Sequence, residues 1–177
     1  MKIHIKNMQD LRCKLMVIAI LKTLNIEFIK IKAGIIYLSQ DLSKEQYLLL
    51  NDQLLLIGME IITGKDLIIT EDIKHEIYDM LNEEKGISKV NFSDRITDKL
   101  GYSNNRLSTI FKKNTKINIQ TCINIEKLKL IKEMLLTRNF SKTEIADKFH
   151  FCDTKCLCHF FKKHALYTMS FFLNMKR

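Results

Sequence analysis

The stretch from Phe140 to Phe172, FSKTEIADKFHFCDTKCLCHFFKKHALYTMSFF, constrains the fold more than any other part of this 177-residue chain. Ser141 is placed to cap a short helix, and Glu144 three residues on completes a capping box. Ile145, Ala146 and Phe149 then recur at the spacing of a buried helical stripe. The helix is expected to stop near His150. A second starts after Asp153 or Thr154, either of which can accept from free N–H groups. In it Leu157, Phe160 and Phe161 turn inward, while Lys155, His159, Lys162 and Lys163 stay outside. Two short helices, a tight turn and a basic outer face describe a helix-turn-helix.

The preceding segment repeats this pattern. Phe92-Ser93 opens a helix with Ile96 and Leu100 inside that ends at Gly101. Tyr102-Ser103 makes a turn, and Asn104 to Asn114 forms a helix with Leu107, Ile110 and Phe111 facing the core. A long helix from about Ile119 to Leu136 follows, with contacts from Ile123, Lys127, Leu128, Ile131, Met134 and Leu135. At about 1.5 Å per residue it is roughly 27 Å long. That suits a spacer between two groove-reading helices about 34 Å, or one DNA turn, apart.

These residues resemble the DNA-binding region of the AraC/XylS family of bacterial transcription regulators. The resemblance rests on Glu144-Ile145-Ala146, Phe151, Leu157, Phe161-Lys162-Lys163, Thr168 and Phe172, and upstream on Leu107 to Leu136. It covers about 90 residues, half the chain. It implies two recognition helices, and the residues expected to contact DNA are Asn104, Asn105, Arg106, Ser108, Thr109 and Lys112 in the first. In the second they are Thr154, Lys155, Cys158, His159 and Lys162. Lys and Arg neutralise phosphates, whereas Asn, Arg, Ser and Thr can reach base edges. The chain departs from the family where Gly usually stands, at Lys116, Leu166 and His150. The usual tail Pro is Met169, and a position often held by Arg is Leu173.

Charge is distributed in the same sense. Residues 1–90 carry 12 Lys/Arg against 13 Asp/Glu, a net of −1, and residues 91–177 carry 17 against 7, a net of +10. A neutral first half joined to a basic second half is the electrostatic footprint of a nucleic-acid module with a partner domain.

The N-terminal half alternates element types. Lys2 to Lys6 alternates polar and apolar like a strand, and Cys13, Val17, Ile20, Leu21 and Leu24 recur at helical spacing. Strand-like runs Glu27–Lys32 and Ile35–Leu38 meet at Ala33-Gly34. Ser43 with Gln46 caps a helix whose core face is Tyr47, Leu50, Leu54 and Ile57, ending at Gly58, and Met59–Ile62 is a fourth strand. The order βαββαβ is that of a ferredoxin-like unit. Asn7 to Cys13, NMQDLRC, resembles the loop of heavy-metal-associated domains, N-M-x-C-x-x-C, with Asp10 at the first cysteine position. A soft metal needs paired thiolates, so the resemblance implies the fold without the metal. Leu67–Thr70 reads as extended and Glu71 to Glu84 as a helix with Ile73, Ile77, Met80 and Leu81 inside. The polar run Glu83-Glu84-Lys85-Gly86 sets a boundary near residues 85–91.

Several classes are set aside. No apolar run reaches the length of a membrane span, and MKIHIKNMQD does not read as a signal peptide. Five cysteines without an even framework suggest reduced thiols and the cytoplasm. Cys152, Cys156 and His159 fall on one helical face, which suits zinc, but no second paired motif accompanies them, and packing or exposed thiols are the preferred reading. With five glycines, no G-x-S-x-G and no phosphate-cradling loop, an enzyme is not expected. The expectation is an α+β chain. It comprises a ferredoxin-like domain at 1–70, a connecting helix and linker at 71–90, and a double helix-turn-helix domain at 91–177. It would be a cytoplasmic regulator of double-stranded DNA with no cofactor or metal. A small-molecule or protein partner would act at the N-terminal domain. The alternative is a protein-interaction module with a decayed DNA surface.

Overall fold

The computed structural model describes residues 1–32, 34–83, 92–137 and 139–175. Within them lie four strands and nine helices: β1 (Lys2–Lys6), α1 (Leu11–Thr23), β2 (Phe28–Lys32), β3 (Ile35–Leu38), α2 (Lys44–Leu56), β4 (Glu60–Ile62) and α3 (Lys65–Asn82). They continue as α4 (Phe92–Leu100), α5 (Asn104–Thr115), α6 (Ile119–Thr137), α7 (Lys142–Lys148), α8 (Thr154–Ala165) and α9 (Met169–Met175). No helix among the described residues is long and apolar enough to cross a membrane. The expected boundary near residues 85–91 lies outside the described residues.

The chain forms two compact units that interleave along the sequence. One comprises residues 1–76 and 100–116, the other 77–99 and 117–177. In the first, an antiparallel sheet has the order β2-β3-β1-β4, with Ile3 opposite Ile36 and Ile5 opposite Ile61. The alternation in β1 sends Ile3 and Ile5 into the core, where they join Val17 and Leu21 of α1 and Leu50 and Leu54 of α2. Burying each such side chain is worth about 1.5–3 kcal/mol. A bulge in β2 between Phe28 and Lys30 leaves Ile29 exposed.

The helices begin where their caps allow. Ser43 accepts from the Gln46 backbone N–H while the Gln46 side chain accepts from that of Ser43, so the predicted capping box is formed. Because α2 carries leucines on every side, this cap helps fix which of them point inward. Gly58, at φ +74°, ends the segment as expected.

One expectation is overturned. Leu67–Thr70 is not extended; α3 begins at Lys65 and runs through it. The β-branched pair Ile68-Ile69 suggests a strand, but Ile69, Ile73, Ile77 and Met80 are all buried at helical spacing. Burial of that stripe outweighs a local preference of a few tenths of a kcal/mol. Thr70 also accommodates the helix by donating its hydroxyl to the Asp66 carbonyl, 2.7 Å away.

Buried polar groups on α3 secure the first unit. Glu71 is 5 % exposed; its carboxylate accepts the Asn7 backbone N–H at 2.9 Å and the Lys74 ammonium at 2.6 Å. Asn7 sits at φ +66°, in the turn after β1, so Glu71 holds a left-handed loop residue in place. At the end of α5, the Asn114 amide donates to the Asp66 carbonyl and to the Thr70 hydroxyl, at 3.1 and 2.9 Å.

The turn between β2 and β3 has no tolerance for a side chain. Gly34 has φ +71°, and a Cβ there would lie 2.1 Å from Nε2 of the buried His75. Gly58 has a similar φ but open space around it. Gly58→Ala should therefore cost about 1 kcal/mol, from the backbone alone. Gly34→Ala should cost a further ~1–3 kcal/mol of overpacking. Equal urea midpoints for the two variants would contradict this account.

Candidate nucleic-acid interface

On α5, Leu107, Ile110 and Phe111 are buried, and Phe111 is wholly enclosed. A helical period of 3.6 places Asn105, Ser108, Thr109 and Lys112 on the opposite face, and all four are exposed, as are Asn104 and Arg106. All six predicted residues of this helix are therefore accessible, with Asn104 and Arg106 at the two margins of the exposed face. Their hydrogen-bonding capacity is not equal. The Thr109 hydroxyl is turned back to the Asn105 carbonyl at 2.8 Å, and Ser108 makes a weak 3.4 Å bond with the Asn104 side chain. The Arg106 guanidinium lies 4.6 Å from the centre of the Tyr102 ring, which orients its planar fork.

On α8, the pattern recurs. Leu157 and Phe161 are buried, and Lys155, Cys158, His159 and Lys162 are exposed opposite them, with Thr154 half-buried at the first turn. The helices correspond at an offset of 50 residues: Asn104–Thr115 to Thr154–Ala165, Leu107 to Leu157 and Phe111 to Phe161. Ser103 and Asp153 are the matching N-caps, though only Asp153 makes a side-chain cap bond, to the Cys156 N–H. The capping box ahead of α8 is also formed, with Ser141 and Glu144 bonded in both directions. The serine N–H lowers the Glu144 pKa.

Both helices end in the same uncommon way. Lys116 (φ +65°) and Leu166 (φ +66°) are left-handed, and their N–H groups close onto the carbonyls of Lys112 and Lys162. His150, between α7 and α8, is left-handed too, at φ +53°. These are the three positions at which the sequence departs from an expected glycine. Met169, at the position of the expected proline, is the first residue of α9 and is buried. A helix tolerates proline there because that N–H has no intrahelical partner.

Periodicity alone gives Lys127 a packing role on the long helix α6. Lys127 of α6 donates to the Phe149 carbonyl at 3.0 Å, with its ammonium 4.7 Å from the centre of the Phe151 ring and 5.9 Å from that of Phe160. Burial lowers its pKa below the ordinary lysine value. The carbonyl and the ring faces hold the charge where solvation is poor. Outside lies an open cleft of about 560 Å³ lined by Asn124, Lys155, Cys156, His159, Phe160, Lys163 and His164. Burial, aided by the Lys163 charge, lowers the His164 pKa.

The cysteines depart from expectation at one place. Cys13, Cys122 and Cys158 are outside any disulfide, but Cys152 and Cys156 are paired as one. Cys152 lies in the turn rather than on the helix, and the extended Asp153 folds it back over the first turn of α8. The proposed common helical face of Cys152, Cys156 and His159 is therefore replaced by a turn-to-helix pair, while Cys156 and His159 line the same cleft.

In the N-terminal loop, Asp10 is the N-cap of α1. Its carboxylate accepts the Cys13 N–H at 2.7 Å, which lowers the Asp10 pKa. Burial raises the Cys13 pKa, and the neighbouring carboxylate adds to the effect. Both shifts make Cys13 a poor thiolate.

Comparison with protein-family models, curated proteins and solved structures finds no match to this chain.

Two measurements follow from these contacts. Leu166 is 88 % exposed, so replacing it with glycine removes strain and forfeits almost no burial. Leu166→Gly and Lys116→Gly should each stabilise by up to ~1 kcal/mol. A fall in melting temperature for both would refute the reading of strained caps. For Lys127, the folded state disfavours the charged form, so the unfolded chain binds more protons as pH approaches 10.5. Stability relative to Lys127→Met should rise with pH in the window below that value. Denaturant titrations of both proteins between neutral and alkaline pH will show whether their difference changes in that direction.

Proposed function

We propose that this chain is a cytoplasmic, sequence-specific DNA-binding transcription regulator of the AraC type. In this reading α4–α5 and α7–α8 are two helix-turn-helix motifs, and residues 1–70 are a ferredoxin-like domain without its metal loop. The observation that carries the reading is the 50-residue repetition of a 12-residue helix with a buried apolar face, an exposed polar and basic face and a left-handed cap. One such helix is common; two with the same facing residues suit reading successive major-groove segments.

Other features support the two halves. The sheet order β2-β3-β1-β4, reached through βαββαβ, is that of a ferredoxin-like unit. The Asp10 cap and the raised Cys13 pKa suit a loop that has given up soft-metal chemistry for helix capping. That leaves residues 1–70 for sensing, dimerisation or docking of a small molecule or protein. The net charge of +10 on residues 91–177 supplies the attraction to phosphate.

The two helices divide the work unequally. α5 offers Asn105 and Arg106, which can pair bidentately with adenine and guanine edges, whereas α8 offers Lys155, Cys158 and His159. The first should read sequence and the second mainly hold phosphates. Operator selection with the purified chain, followed by binding across salt concentrations, tests this. Affinity should fall steeply with salt, and Lys112→Ala or Lys162→Ala should weaken all sequences alike. Substitution of Asn105 or Arg106 should relax specificity by about 1–3 kcal/mol per base contact, and of Lys155 or His159 by less. Salt-independent binding, or none to mixed fragments at low salt, would favour the protein-interaction module instead.

A further inference from the structure

The turn leading into α8 holds a second kind of chemistry that DNA binding does not use. Cys152 Sγ, Cys156 Sγ and a carboxylate oxygen of Asp153 lie within 4.8 Å of one another, the only such group of three among the described residues. The two cysteine Cα atoms are 6.2 Å apart, and the sulfurs are joined. The backbone therefore already presents both sulfurs to a common point.

We propose that, in its dithiol form, this turn is a zinc-binding site with Cys152, Cys156 and Asp153 as ligands. Two thiolates and a carboxylate are a borderline-soft donor set, which Zn(II) accepts and which is less suited to Cu(I), whose preference is for thiolates alone. Zn–S bonds of about 2.3 Å require the sulfurs to separate from bonding contact by side-chain rotation. Asp153 Oδ1 lies 3.9 Å from Cys152 Sγ and also accepts the Cys156 N–H at 2.7 Å, so it keeps a lone pair for the metal while it caps the helix. The fourth position falls to water or to His159, one turn beyond Cys156 and lining the same cleft. Cys158 is not part of the set; its sulfur lies 3.9 Å from that of Met169.

The chemistry balances in two steps. A thiol reductant gives two electrons to the disulfide and becomes a disulfide itself, leaving two cysteine thiols. Zn(II) then forms two Zn–S bonds as the two thiol protons pass to water. Position at the start of a 12-residue helix favours the thiolates. Metal would tie the turn to the first turn of α8, and oxidation would expel it. The site rests on these donors alone, and its fate is independent of whether the chain binds DNA.

The experiment is a Zn(II) titration of the full chain against a colorimetric chelator, after reduction with a phosphine. One equivalent should bind, and Co(II) in its place should show thiolate charge-transfer absorption. Cys152→Ser and Cys156→Ser should each weaken binding at least 10-fold, and the diamide-oxidised chain should not bind at this site. Asp153→Asn retains a good N-cap, so it should weaken metal binding about 10-fold with helix content unchanged by circular dichroism. Cys13→Ser should leave the affinity unaltered. The proposal is overturned if the reduced chain binds no zinc, if binding survives Cys152→Ser, if it is lost in Cys13→Ser, or if Cu(I) binds where Zn(II) does not.

Discussion

The carboxylate of Glu71 is the constraint around which the first unit is organised. A group that is 5 % exposed must be matched by donors, and it finds the Asn7 N–H and the Lys74 ammonium. That demand ties α3 to the turn after β1 and holds Asn7 left-handed. Just before Glu71 on α3, the Thr70 hydroxyl and the Asp66 carbonyl accept the Asn114 amide from the end of α5. A helix separated from the sheet by forty residues of chain is thereby joined to the unit that contains it. The polar bonds specify where α3 packs; the buried isoleucines supply the driving force.

The same economy of local geometry governs the two helices with exposed polar faces. In each, an enclosed phenylalanine and a leucine set the inward face, which leaves the residues one half-turn away as the outward one. Each also ends on a left-handed, non-glycine residue that closes its N–H onto a carbonyl four residues back. These positions cost backbone strain on the order of 1 kcal/mol each, yet the buried faces of the two helices hold the conformation. Phe161 alone meets Tyr167 and Phe172, at 6.0 and 5.9 Å between ring centres.

Much of this was legible because it is encoded at short range. Capping boxes at Ser43 and Ser141 need only the side chains of residues three apart. Gly58 marks a helix end because φ +74° costs it little, and the stripes Leu107-Ile110-Phe111 and Leu157-Phe161 follow from a 3.6-residue period. The exposed faces of α5 and α8 follow from those stripes, so the candidate interface was readable residue by residue.

What only the tertiary structure decided depended on groups far apart in the chain or on the path of the backbone. Leu67–Thr70 is helical because Ile69 is buried along with Ile73 and Ile77, a fact of packing that β-branched composition cannot express. Periodicity reads Lys127 as one more contact of a long helix; three aromatic rings and the Phe149 carbonyl, all over 20 residues away, make it a half-buried cation. Cys152 and Cys156 could be read as helical neighbours from their spacing alone. The extended backbone of Asp153 turns one of them out of the helix and back against the other. Local periodicity determined the elements and their faces, while desolvation and backbone direction determined which polar and sulfur groups meet.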